Sequence, residues 1–269
     1  MLECIVNISE GRDSAKLSGL ADLVGIDLLD LHSDADHHRS VFTLFGTNSV
    51  RVLVRQAIAT LDIKRHSGVH PRLGIVDVVP FVALDLSTFD DALHARDKFA
   101  EYAGHELGVP CFLYGPERTL PYIRAHAFKD LLPDVGPQAP HPSAGAMCVG
   151  ARPMLVAYNL WLRNTPLETA KLISASIRDQ SVRALGLQVG RHTQVSMNLI
   201  APHLVGPAEV YDRVAEQAEI ERAELVGLVP ARVLAPIPRS RWTRLDLSNK
   251  RTIEWRIAQR NRASQQDST

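Results

Sequence analysis

The chain has 269 residues, 45% hydrophobic and 22% charged, with 30 basic and 30 acidic side chains and a formal net charge of zero. This composition supports a substantial core and excludes global disorder. The lack of a basic excess or stripe, apart from a mildly basic end around Lys250 to Arg262, excludes a nucleic-acid binder.

In chain order, the pattern begins with a strand over Leu2 to Ile8, a loop at Ser9–Gly11 and a helix over Ala15 to Val24. The N-terminus has no basic stretch followed by an apolar one, so it is no secretory signal. No run reaches the roughly 20 apolar residues of a membrane span. Cys4, Cys111 and Cys148 are too scattered for a disulfide framework and read as buried small hydrophobes. A soluble, cytoplasmic protein is expected.

Gly25 opens a strand, Ile26 to Leu31, followed by a polar loop, His32 to Arg39, and an alternating strand, Ser40 to Gly46. Val50 to Ile63 is a helix with Asn48 or Ser49 as its cap. The run Gly74 to Phe81 predicts a strand buried on both faces. A long helix over Ser87 to Leu107, a short strand over Pro110 to Tyr114 and a helix around Leu120 to Leu131 follow. PDVGPQAPHPSAG is expected to cross the surface as a linker. Beyond it come a strand (Met154–Leu162) and a helix (Pro166–Asp179) with Thr165 as its cap. Two strands follow (Val182–Val189, Gln194–Ile200), then a helix (Ala208–Ala223) and a strand (Leu225–Val229). The end is a short helix and a polar, basic segment.

Each half thus runs strand, helix, strand, strand, helix, strand, the order of a ferredoxin-like βαββαβ unit. The expected fold class is mixed α/β (α+β). Two such subdomains, residues 1–151 and 152–269, are expected side by side with a ligand cleft between them.

Polar residues crowd three loops: NISEGRD, LHSDADHHRS and KRHSGVHPRLG. His70, before Pro71, is held extended and can exchange a proton near neutral pH, or can simply bond a turn. Arg72 and Arg39 suit a carboxylate, and equally a surface ion pair or a polar turn. His66 and His70 have i, i+4 spacing, but Gly68 and Pro71 argue against a helix and so against a metal pair. Asp34, Asp36, His37 and His38 form the stronger metal suspect, leaving a metal-dependent hydrolase as the alternative function. Asp77, alone in an apolar strand, must be bonded or functional, because an unpaired buried charge is costly.

ECIVNISEGRD, R-H-x-G-x-H-P-R-x-G-x-x-D-V-x-P-F, VPCFLYG, SAGAMCVGARPMLVAYN and ELVGLVP together resemble the formiminotransferase domain family, nearly end to end and without a cyclodeaminase part. The resemblance implies two ferredoxin-like subdomains around a folate cleft. It implies transfer of a formimino group from N-formimino-L-glutamate to tetrahydrofolate, the co-substrate, in histidine degradation. It places His70 at the family's general acid/base and Arg39 in the substrate region. The family's loop aspartate falls on His32, or with a slip on Asp34. Arg39, Arg72, Asp34, Asp77 and His38 are the substrate-binding candidates, and His66 becomes a supporting or capping residue. No metal is implied, and a formyl donor, a homodimer and a non-catalytic folate-binding role stay open.

Overall fold

The architecture is that of a computed structural model, which describes residues 1–68 and 72–266. The chain forms two compact units, Met1–Pro153 and Met154–Thr269.

The first unit opens with β1 (Leu2–Ile8), α1 (Ser14–Val24), β2 (Leu28–Asp34), β3 (Arg39–Phe45), α2 (Asn48–Thr60) and β4 (Val76–Ala83). Their strands lie in the order β2-β3-β1-β4 with every neighbour antiparallel. This is the expected βαββαβ unit. α1 starts where the Asp13 carboxylate accepts from the Lys16 N–H at 3.0 Å, and it buries Leu17, Leu20 and Val24 at helical spacing. β1 buries Cys4, Val6 and Ile8 on alternate positions.

The sheet then extends. After α3 (Phe89–Glu101), β5 (Cys111–Tyr114) and α4 (Leu120–His126), the strand β6 (Met147–Ala151) inserts between β4 and β5 and runs parallel to both. The result is a six-stranded sheet, β2-β3-β1-β4-β6-β5. One core joins Leu20, Phe42, Leu53, Val79, Phe81 and Phe99. A second joins Val78, Phe112, Tyr114, Ile123 and Cys148. β4 contributes to both, which is why its sequence is almost continuously apolar. Each large side chain so buried contributes about 1.5–3 kcal/mol.

β6 does not stand out in the sequence, because MCVGA is short and sits in a stretch rich in Pro, Gly and His. Its Gly150 is needed by close approach: a Cβ there would come within 2.2 Å of the Tyr114 ring. The expected surface linker is exposed over 137–140, but its two ends are tied into the unit. Val135 bridges Cys111, Gly145 bridges Gly74, and Ala144 is buried. The expected polar loop 32–39 shrinks to a turn over 35–38, since β2 and β3 pair as far as Asp34 opposite Arg39. Thr47, without a side-chain bond, takes the cap position of α2.

The second unit comprises β7 (Val156–Leu162), α5 (Leu167–Ser176), β8 (Val182–Val189), β9 (His192–Leu199), α6 (Pro207–Ala215) and β10 (Ile220–Val226). Its sheet order is β10-β7-β9-β8, antiparallel throughout, the same connectivity as the first four strands of the first unit. Tyr158, Leu160, Ile173, Val195, Met197 and Val210 fill its core. α6 ends and β10 begins earlier than the helix-forming run AEQAEIERAEL suggests; pairing with β7 overrides propensity there. Two short helices, α7 (Ala231–Leu234) and α8 (Arg239–Trp242), lead to α9 (Ile253–Gln266), where the sequence suggests only a polar tail. Among the described residues no helix is long and apolar enough to cross a membrane.

Candidate active site

β1 runs antiparallel to β3 and β4, so the C-terminal end of β1 meets the N-terminal ends of both neighbours. The described parts of the three polar segments of the sequence converge on this edge of the first unit's sheet. Ser9 anchors the meeting point: its N–H donates to the Ile75 carbonyl at 2.7 Å and its hydroxyl to the Gly74 carbonyl at 2.8 Å. Ser40 donates to the Glu10 carbonyl at 2.6 Å. Two glycines let the segments touch. A Cβ on Gly11 would lie 2.2 Å from the Asp34 carbonyl oxygen and 2.5 Å from the Arg39 nitrogen. One on Gly68 would lie 2.6 Å from the His37 carbonyl oxygen.

Asp77, near the start of β4, is 3% exposed and fully engaged. Its Oδ1 accepts from the Leu73 N–H at 2.7 Å and from Arg124 Nη1 at 3.3 Å, and its Oδ2 accepts from Arg124 Nη2. Arg124 comes from α4 and escaped the sequence reading, because nothing local in RTLPYIRAH singles it out. The need for a partner to Asp77 was the available signal.

Arg39 and Arg72 stand in the same field. Arg39 Nη2 donates to the Asn7 Oδ1, and the Asn7 amide is held by the Ile5 and Val78 carbonyls at 3.0 and 3.3 Å. Burial pushes the Arg39 pKa down to about 10; Asp77 resists this, while Arg124 and Arg72 add to it. Arg72 donates to the Gly68 carbonyl at 2.6 Å, and its pKa is likewise lowered, by burial first and by Arg124. Arg124 is the exception: burial disfavours its charge, but the Asp77 carboxylate outweighs this and raises it. Three guanidinium groups thus share the field of one carboxylate. Such a place favours an anion.

The opposite side of the edge is built from acids and imidazoles. Glu10 Oε1 accepts the N–H groups of Gly11, Arg12 and Asp13 at 2.9, 2.8 and 3.0 Å, and these bonds, with His38, hold its pKa down against burial. The Gly11 N–H also donates to His38 Nδ1 at 3.1 Å. Nδ1 therefore carries the lone pair, and the proton of neutral His38 sits on Nε2. Burial lowers the His38 pKa; Glu10 opposes this, and Arg12 and Arg72 reinforce it. His38 also takes a left-handed backbone conformation at φ 51° in the β2–β3 turn. His66 packs against it, with ring centroids 4.2 Å apart.

Asp34 is spent on the turn itself. It accepts from the His37 N–H at 2.8 Å and lies 2.9 Å from His37 Nδ1; these contacts hold its pKa at about 2 although burial would raise it. Asp36 points outward, exposed. Among the described residues no three His, Cys, Asp or Glu side chains gather as a metal site. The structure therefore brings together Arg39, Arg72, Asp77, His38 and Asp34, and adds Arg124, Asn7 and Glu10. His70 lies outside the described residues. A larger hollow of about 570 Å³ in the second unit is lined by Arg163, Asn164, Arg191, His192 and Glu221. Arg163 there pairs with Glu219 at 3.2 Å and His192 lies 3.5 Å from Glu221, and none of the predicted site residues lines the hollow.

Residues 1–152 match the family described as the formiminotransferase domain, N-terminal subdomain. The chain belongs to the formiminotransferase family. It is 34% identical over 273 residues to the glutamate formimidoyltransferase of Streptococcus pyogenes serotype M1, covering 88% of this chain and 91% of that protein. It is 31% identical to the glutamate formimidoyltransferase of Thermoplasma acidophilum, covering 88% and 90%. The formimidoyltransferase-cyclodeaminase of Gallus gallus is 33% identical over 87% of this chain, which spans 51% of that longer formiminotransferase-family protein.

Proposed function

We propose that this chain moves a formimino group from N-formimino-L-glutamate to tetrahydrofolate, giving 5-formiminotetrahydrofolate and glutamate. The observation that carries this reading is the match to single-chain relatives named glutamate formimidoyltransferase over about nine-tenths of both partners. The site supports it chemically. N-formimino-L-glutamate carries two carboxylates, and Arg39, Arg72 and Arg124 make the sheet edge a receptor for negative charge. Asp77 gathers these arginines, so its service to the substrate is indirect. Asp34 shapes the turn that presents His38 and Arg39.

The mechanism follows from the charges. The folate nitrogen attacks the amidine carbon, which is already cationic, so no oxyanion needs to be stabilised. His70 takes the proton from that nitrogen and delivers one to the departing glutamate nitrogen, as general base and then acid. Tetrahydrofolate is a co-substrate, and the sequence calls for no metal. A cytoplasmic location and a place in histidine degradation belong to the same reading.

The test is an assay of purified protein with tetrahydrofolate and either N-formimino-L-glutamate or N-formyl-L-glutamate, following formation of the substituted folate. Turnover with the formimino donor is expected. Absence of transfer from both donors rejects the reading. Activity that a chelator abolishes and manganese or zinc restores would favour a metal-dependent hydrolase instead.

A further inference from the structure

The run HPSAGA, His141 to Ala146, folds into a turn that grips both stems of the loop 64–72, whose sequence carries His66, His70 and Arg72. On the entry side, the Ile63 N–H donates to the Ser143 carbonyl at 2.8 Å. On the exit side, the Ile75 N–H donates to the Ala144 carbonyl at 2.9 Å, and the Ala146 N–H to the Leu73 carbonyl at 3.0 Å. Gly74 and Gly145 bridge between these bonds. The approach leaves no room for side chains. A Cβ on Gly74 would lie 2.4 Å from the Ala144 and Ala146 carbonyl oxygens, and one on Gly145 would lie 2.2 Å from that of Leu73. The same exit stem serves the site, because the Leu73 N–H meets Asp77 and the Gly74 carbonyl meets Ser9.

His141 holds this turn together. Its main chain closes the turn on Gly145: the His141 N–H donates to the Gly145 carbonyl at 2.8 Å, and the His141 carbonyl accepts the Gly145 N–H at 2.9 Å. Its ring fastens the bend, with Nδ1 accepting the N–H groups of Ser143 at 3.3 Å and Ala144 at 3.0 Å. Nδ1 therefore carries the lone pair, and the neutral ring is the Nε2–H tautomer. We propose that His141 is a positioning residue for the loop 64–72: its ring fixes the turn, and the turn fixes the spacing of the loop's two stems. The inference rests on the proposed formimino transfer, in which this loop supplies the general acid/base His70 and the guanidinium of Arg72. His141 itself need not touch the substrate. A loop that must present a proton-transferring group tolerates little play, since about 1 Å of misplacement can cost roughly 10²-fold in rate.

Two substitutions of His141 separate the ring's acceptor from its bulk. His141→Leu keeps the bulk and removes the acceptor; His141→Asn places Oδ1 as many bonds from the backbone as Nδ1. His141→Leu should lower kcat by roughly 10-fold or more, with the KM for tetrahydrofolate little changed. His141→Asn should recover most of that loss. Combined with His70→Ala, His141→Leu should bring no further fall in kcat, because the group it misplaces is already gone. Wild-type kcat in His141→Leu, no recovery in His141→Asn, or a further fall in the double variant overturns the proposal. Independently of turnover, the Ile63 and Ile75 amides should exchange with solvent faster in His141→Leu and stay protected in His141→Asn. In the wild-type protein, nitrogen NMR of the His141 ring should show the Nε2–H tautomer, which requires no variant to fold. Unchanged exchange in His141→Leu, or a proton on Nδ1 of the neutral ring, overturns the proposal even if formimino transfer is demonstrated. An inactive wild-type protein with the expected tautomer and exchange pattern would support the clamp and fault the reaction assignment instead.

Discussion

Arg124 and Asp77 stand 47 positions apart and close a buried ion pair at the mouth of β4. The pair ties α4, outside the βαββαβ repeat, to the strand that carries the site. The two partners should differ in what their loss costs. Asp77→Asn keeps an acceptor for the Leu73 N–H but removes the carboxylate whose field Arg39, Arg72 and Arg124 share, and should cost about 3 kcal/mol. Arg124→Met leaves Asp77 with that N–H and two cations nearby, and should cost less. Urea unfolding of both variants checks the order; equal or reversed costs would contradict it.

The Asp34–His37 contacts make a pH signature. The folded pKa of Asp34, about 2, lies below the unfolded value of about 3.9. A depressed carboxylate stabilises the fold above its unfolded pKa, and that stability is lost as the pH falls from about 4 towards 2. The contribution is about 2 kcal/mol. Asp34→Asn should therefore be less stable than wild type at pH 6 and nearly equal to it at pH 2, as read by unfolding curves at the two values.

Arg39 is placed to bind rather than to move protons, because even a pKa lowered to about 10 leaves it charged at neutral pH. Arg39→Ala should raise the KM for N-formimino-L-glutamate by about 10-fold or more, since a charge-assisted bond contributes roughly 1.5–3 kcal/mol. The KM for tetrahydrofolate should change less. Initial rates with each substrate varied in turn separate the two.

His70→Ala should lower turnover by roughly 10²-fold while folate binding survives, as expected when a general base is removed. Fluorescence titration with folate beside a turnover assay checks both halves of this prediction. Wild-type turnover in the variant would remove His70 from the mechanism.

The sequence was most readable where periodicity and burial agree. β1 and β8 fall where the pattern puts them, because β1 ends at the polar loop before α1 and β8 alternates up to the hairpin turn into β9. β6 was hidden because small residues let Tyr114 lie over Gly150, and smallness carries no period. α9 was hidden because IEWRIAQRNRASQQ is polar on nearly every side and fully buries only Ile253. The site divides the same way. Asp77 announced itself as an acid in an apolar strand, and Arg39 and Arg72 as cations in polar loops. Arg124 and Asn7 did not, since their meaning lies in a tertiary contact with no local trace. The Glu10–His38 arrangement depends on a backbone N–H of Gly11, which no side-chain pattern reports.

The place of β6 in the sheet has a consequence for the order in which the protein is made. Residues up to Arg124 include every side chain gathered at the site, and a nascent chain that has reached them already contains all strands of the βαββαβ repeat. Yet β4 still has an open edge, because its neighbour is β6, and Gly74 still lacks its bridge to Gly145. The strand that bears Asp77 gains its second neighbour only once residues 141–151 have been synthesised. A fragment ending after Tyr114 should therefore expose a long apolar strand and aggregate, and the first unit has to be expressed as a whole to be studied alone.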